Sequence, residues 1–246
     1  MSVRKITMLA LSALSFCAAT VQASELLVNG GFENGGGSLS GWVVADQAGG
    51  SGSWFLQSGT GSPLNGFSVP APPGPTHAAM TDQGGPGSHV LLQSFVVPTI
   101  VTSAILNFDY FISNQGGAFI TPGSLDFAVA PNQQARVDII TAGADPFSLA
   151  VGDILANIYQ TQVGDPLVSG YNTINANLTA LFAAHAGETL VLRFSEVDNQ
   201  LFFNNGVDNV SLDVTGSSTT LPEPGTLPLL GLAVVGVGLL RRRKPA

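Results

Sequence analysis

Ala104-Ile105-Leu106-Asn107-Phe108-Asp109-Tyr110-Phe111-Ile112 decides how this chain is read. In an extended backbone Leu106, Phe108, Tyr110 and Ile112 fall on one side, and Asn107 and Asp109 on the other. A period of two over that length marks a strand with one buried face. The same rhythm recurs over 189–196, with Leu190, Leu192 and Phe194 inward and Arg193 outward. It recurs over 207–214, with Val210, Leu212 and Val214 inward, and over 135–141, where Val137 and Ile139 interleave with Arg136 and Asp138. Shorter strands are expected at 26–28, 42–44, 54–56, 89–97 and 125–130, separated by Gly, Pro and Asn turns. Residues 58–88, rich in Gly, Pro and Ser, read as one long loop. One short helix is expected, capped by Asn177, with Leu178, Leu181 and Phe182 on one face and Gly187 as its stop. Together these predict an all-β, antiparallel β-sandwich with one short helix, spanning 24–216.

Charge narrows the function. Only Arg136 and Arg193 of the eight cations fall between 24 and 220, against fifteen of the sixteen acids, so this region carries a formal charge of −13. Nucleic acid is excluded as a partner, because nothing neutralises phosphates. An acidic, lysine-free surface suits divalent cations or neutral sugars. No G-x-S-x-G, Walker A, G-x-G-x-x-G or H-E-x-x-H motif is present. His77, His89 and His185 lack zinc-type spacing and read as loop or surface residues.

Both ends read as addresses. Arg4 and Lys5 precede an apolar core at 6–19, and Val21-Gln22-Ala23 precedes an expected cut between Ala23 and Ser24. Residues 1–23 are thus an N-terminal signal helix handled by the secretion translocon, and their removal takes away Cys17, the only cysteine. Residues 217–221 read as a linker. Beyond it, 222–246 holds Pro222-Glu223-Pro224, an apolar helix at 225–240 and a basic end at 241–244. Such a helix is about 24 Å long at ~1.5 Å per residue, short of a bilayer core of about 30 Å.

Pro222, Glu223 and Pro224, the Gly-rich apolar run and the cluster Arg241, Arg242, Arg243 resemble the PEP-CTERM sorting signal of Gram-negative bacteria. The resemblance implies recognition by an exosortase-type membrane protease and export through the inner membrane. It also implies transient C-terminal anchoring and a final site in the cell envelope or outside the cell. The domain itself looks like the galactose-binding-like jelly roll of many carbohydrate-binding modules. That resemblance is carried by Leu27-Val28-Asn29-Gly30-Gly31-Phe32-Glu33, by Ala186-Gly187-Glu188-Thr189-Leu190-Val191-Leu192-Arg193-Phe194 and by Gly206-Val207-Asp208-Asn209-Val210-Ser211-Leu212.

Jelly rolls of this kind often hold a structural Ca²⁺ beside the first and last strands. The resemblance places Glu33 and Asp208 there, with backbone carbonyls at 29–31. Alternation puts Asp208 on the core-facing row of Val210 and Leu212. The competing reading has Asp208 capping its own turn and Glu33 solvated. For a sugar ligand the candidates are Trp42, Trp54, Tyr110 and Phe202 as stacking faces, with Asn114 and Asn204 for hydroxyls. The competing reading buries these aromatics in the core. The functional expectation is a non-catalytic binder of exopolysaccharide or matrix polymer. A structural biofilm-matrix protein and a glycan hydrolase with an unrecognised carboxylate pair remain alternatives.

Overall fold

A computed structural model describes residues 22–217. It contains eleven strands and one helix. They are β1 (Gln22–Glu25), β2 (Val43–Asp46), β3 (Ser53–Ser58), β4 (His77–Asp82), β5 (Gly87–Val96), β6 (Ile100–Asn114), β7 (Gln133–Thr141), β8 (Ile154–Gln160), β9 (Asn172–Asn177), α1 (Thr179–Ala184), β10 (Thr189–Asp198) and β11 (Phe203–Ser217). One sheet runs β3-β4-β11-β6-β9, with β1 also on β11, and the other runs β2-β5-β10-β7-β8. Every pairing between strands is antiparallel. The result is the expected jelly-roll β-sandwich.

The alternating rows form its core. Ala104, Leu106, Phe108, Tyr110 and Ile112 of β6 face Leu190, Leu192 and Phe194 of β10. Phe194 spans the layers, its ring 5.3 Å from Phe108 and 5.9 Å from Trp42. Burying each such ring stabilises the fold by about 1.5–3 kcal/mol. Helix α1 closes one side with Phe182, whose ring lies 5.4 Å from Phe95. Asn177 Oδ1 accepts the Thr179 N–H at 3.0 Å, so the expected Asn does serve the first turn, although Leu178 is the N-cap residue.

Several expectations change. Residues 26–28 are not a strand; pairing ends at Glu25, whose side chain accepts the N–H groups of Leu27 and Leu212. Residues 125–130 form no strand, and 127–130 turn and bend as Asp126 Oδ1 captures the Ala128 N–H at 2.8 Å. The long loop at 58–88 contains β4, which is buried on both faces from Ala78 to Asp82 and so shows no alternation. Strands β8 and β9 lie outside the expected ones; β9 is polar except for Ile174 and Ala176.

Arg193 does leave the core face, but it is not solvent-exposed. The outer side of its sheet is covered by the 144–148 segment, through Ala144 and Phe147. Arg193 has 0% exposure. Its Nη2 donates to Asp138 Oδ2 at 2.6 Å, and its Nη1 donates to the carbonyls of Pro146 and Ser148. Arg136 donates to the same carboxylate through Nε and Nη2.

The expected cut between Ala23 and Ser24 falls inside β1, where Ala23 pairs with Thr215 and Ser24 with Val214. Residues 1–21 of the signal segment and the tail from 218, including Pro222, Glu223, Pro224, Arg241, Arg242 and Arg243, lie outside the described residues. Among the described residues no helix is long and apolar enough to cross a membrane.

Candidate functional site

Two of the depressions among the described residues bear on function. The larger is a cleft of about 310 Å³ lined by Tyr110, Ile112, Tyr159, Asp165, Pro166, Ser169, Asn172 and Ile174. It lies where β6 and β9 of one sheet approach β8 of the other, below the 165–169 connection. Alternation on β6 turns Tyr110 inward, and its ring meets Tyr159 edge-on at 5.3 Å. Burial pushes the Tyr159 phenol up to about 12, and Asp165 adds to the shift. Burial, then Tyr159 and Glu196, push Tyr110 well above the usual phenol range. Both hydroxyls therefore remain neutral donors at neutral pH. The Tyr110 hydroxyl is buried and has no hydrogen-bond partner among the described residues.

The smaller recess, about 170 Å³, is lined by Gly84, Gly85, Pro86 and residues 198–202. Phe202 sits on its rim, half-buried against Phe67 with ring centroids 5.4 Å apart. Asp198 also lines it, as the outermost member of a buried polar layer. Leu190, Leu192, Phe194, Glu196 and Asp198 occupy alternate positions of β10, so the two acids continue the core-facing row. Glu196 pairs across strands with His89, and Asp198 with Gly87.

Glu196 has 0% exposure, and neither carboxylate oxygen has a hydrogen-bond partner among the described residues. Burial, then the neighbouring Asp198, push its carboxyl well above the usual range. Burial pushes Asp198 to about 7, against the bonds from Gln83 and Gly87. This layer corrects the expectation that His89 is a loop or surface residue, since His89 lies in β5 at 1% exposure. Extending the Leu190-Leu192-Phe194 row by two steps finds both acids.

The expected ligand residues do not converge. Trp42 is core, packed on Phe32 and Phe194, and its Nε1 donates to the Asn29 carbonyl at 3.1 Å. Trp54 is buried in the same core. Asn114 is consumed by its own turn: Oδ1 accepts from Gly116 N and Gln133 Nε2, and Nδ2 donates to the Ala118 carbonyl. Asn204 Nδ2 donates to the Thr81 carbonyl and Asp82 Oδ1. Of the expected residues, Tyr110 lines the larger of these two depressions and Phe202 the smaller.

Glu33 and Asp208 do face one segment, 74–77. Glu33 accepts from Thr76 N and Oγ1 and from His77 N, and its Oε2 lies 2.7 Å from His77 Nδ1. These bonds, led by His77, hold its carboxyl down at about 2. Asp208 accepts from Gly74 N at 2.8 Å and from its neighbour Asn209 N at 2.7 Å. It lies on the opposite side of the sheet from the expected core-facing row. A register shift between Asp208 and Ser211 inserts one residue, so Asp208 pairs with outward-facing Asp109, not with the Val210 row. A Ca²⁺ at this place has to displace N–H and O–H donors that already fasten 74–77 to the sandwich.

Residues 220–244 match the PEP-CTERM protein-sorting motif. The motif marks an exported protein with a C-terminal sorting signal. No curated protein matches the chain. Among solved structures, the chain is similar to a cyclase from Fischerella sp. TAU at 18% identity and a TM-score of 0.47, covering 80% of this chain and 100% of the cyclase. It is similar to the carbohydrate-binding module TmCBM61 in complex with β-1,4-galactotriose at 12% identity and a TM-score of 0.41, covering 77% and 97%. The enzymatically active domain of tailspike protein 4 from Bacteriophage CBA120 is similar at 10% identity and a TM-score of 0.45; 77% of this chain spans only 21% of that one.

Proposed function

We propose that this protein is an exported, non-catalytic polysaccharide-binding β-sandwich that holds a saccharide in the Tyr110–Tyr159 cleft. Export follows from the sorting motif, with the translocon and an exosortase-type protease as its handling partners. Exopolysaccharide around the producing cell is the proposed ligand. The cleft is the observation that carries this reading. Its wall is aromatic and aliphatic, as the C–H faces of a sugar require. Its rim offers Asp165, Ser169 and Asn172 for hydroxyls, and its size falls at the lower end of ligand pockets. The formal charge of −13 at 24–220 favours a neutral glycan over an anionic one.

Burial supports a binder over a hydrolase. Glycoside hydrolysis needs two carboxyl groups flanking the scissile oxygen. Glu196 and Asp198 are a carboxylate pair, but Glu196 has no surface for a polymer to reach.

Affinity electrophoresis of the full-length protein through gels containing exopolysaccharide from the producing cells tests the proposal. Wild type is retarded, and Tyr159→Ala binds about tenfold more weakly, which is what one aromatic contact of about 1.4 kcal/mol contributes. Equal mobility with and without polysaccharide overturns the reading in favour of a matrix component without a small ligand. Release of reducing ends overturns its non-catalytic part.

A further inference from the structure

We propose that His89, Glu196 and Asp198 form a buried site for a first-row divalent metal ion, zinc foremost, with Gln83 as a fourth donor. The site shares no residue with the lining of the saccharide cleft, although Glu196 acts electrostatically on Tyr110, and it does not include Glu33 or Asp208.

The backbone brings the ligands together. His89 and Glu196 are direct cross-strand neighbours on β5 and β10, and Asp198 follows Glu196 on the same face. One ligand atom from each of the three lies within 4.8 Å of the others. Zinc bonds of about 2.0–2.2 Å place tetrahedral ligands about 3.3 Å apart, so modest side-chain rotation closes the set.

Glu196 points to a ligand independently of this spacing. Both its oxygens are buried without a hydrogen-bond partner among the described residues. A buried carboxylate with nothing to bond is costly, and a cation removes that cost. Gln83 is buried too. Its Nε2 donates to Asp198 Oδ2 at 3.0 Å and to the Phe203 carbonyl, while its Oε1 has no partner among the described residues.

The surroundings suit a metal-bound imidazole. Asp46 Oδ1 lies 2.8 Å from His89 Nδ1, the carboxylate–histidine arrangement that orients a ligating ring. Nε2 is then the donor atom. It now donates to the Ser51 carbonyl at 3.0 Å, so coordination breaks that hydrogen bond, moves the carbonyl aside and releases the Nε2 proton to solvent. Gly87 keeps the approach open: a Cβ there lies 2.4 Å from Nε2. The smaller recess, which Asp198 lines beside Gly84, Gly85 and Pro86, supplies the way in. An imidazole among oxygen donors favours zinc and its neighbours over calcium or magnesium. Four protein donors make a closed, structural centre rather than a catalytic one.

The test uses full-length protein stripped with a chelator, then titrated with Zn²⁺ by calorimetry and with Co²⁺ by visible absorption. We expect one equivalent of Zn²⁺ and a Co²⁺ ligand-field band. Glu196→Gln loses both. Asp46→Asn weakens binding about 10–100-fold, and it carries the test if Glu196→Gln fails to fold. Glu33→Gln binds as wild type does, which separates this site from the His77–Glu33 pair. The proposal is overturned if wild type takes up no saturable Zn²⁺, or if Asp46→Asn and folded Glu196→Gln bind as tightly as wild type.

Discussion

Asp138→Ala tests the tertiary reading most directly. The Asp138 carboxylate has 0% exposure and accepts hydrogen bonds from Arg136, Arg193 and Asn157. Arg136 is at the edge of this cluster and can turn toward water when its partner goes. Arg193 has 0% exposure and cannot, because the 144–148 segment covers it. Deleting the carboxylate leaves a buried guanidinium hydrogen-bonded only to the Pro146 and Ser148 carbonyls, with Asp145 as a remaining acidic neighbour. Removing one partner of such a pair costs about 3–5 kcal/mol, much of the 5–15 kcal/mol that holds a typical domain. Urea denaturation of the full-length protein, with wild type and variant compared at equal m-values, reads the loss. The double variant Asp138→Leu/Arg193→Met recovers most of it, because the fully enclosed Arg193 guanidinium is gone and Arg136 lies at the edge of the cluster. A loss below about 1 kcal/mol for Asp138→Ala refutes the reasoning, since it means that Arg193 reaches water.

Asp208 makes stability depend on pH. Burial raises its carboxyl from 3.8 to about 6, with Asp109 and Glu33 adding to the rise. Between those values the folded chain holds a proton that the unfolded chain has released, so this contribution is full below 3.8 and is lost as pH rises through 6. Melting temperatures of Asp208→Asn and wild type compared from pH 4 to 7 therefore diverge with rising pH, and parallel curves refute the claim. Gly30→Ala places a Cβ 1.8 Å from the Val210 carbonyl oxygen and strains the Val210 N–H bond to the Gly30 carbonyl. It should cost about 3 kcal/mol by urea melt, the upper end for overpacking; a loss under about 0.5 kcal/mol contradicts the close approach. Trp42→Ala should cost about 3–5 kcal/mol while leaving polysaccharide retardation unchanged, because Trp42 is core; weaker binding by a stably folded variant places it at the ligand.

The period-two rows at 104–112 and 189–196 were enough to assign an antiparallel sandwich, because burying one face of a strand writes its geometry directly into residue order. The sorting tail was legible for a similar reason: a proline hinge, an apolar run and a cationic end act through local composition. Strand β4 escaped because both its faces are covered, which erases the alternation. Asp208 was put on the wrong face because one inserted residue at the β11 register shift reverses parity, and the flanking residues do not announce it. The site depended on tertiary structure most of all. Whether Trp42 stacks on a sugar or packs against Phe194 is settled by which sheet lies opposite. Tyr110 and Tyr159 meet only because two strands from different sheets meet at one edge. His89 and Glu196 stand 107 positions apart in the chain and become neighbours through antiparallel pairing. Local order thus determined which faces are apolar and that the chain carries a C-terminal sorting signal. Only the register and the covering loops decided which polar groups are enclosed together, because those depend on long-range pairing that no single segment encodes.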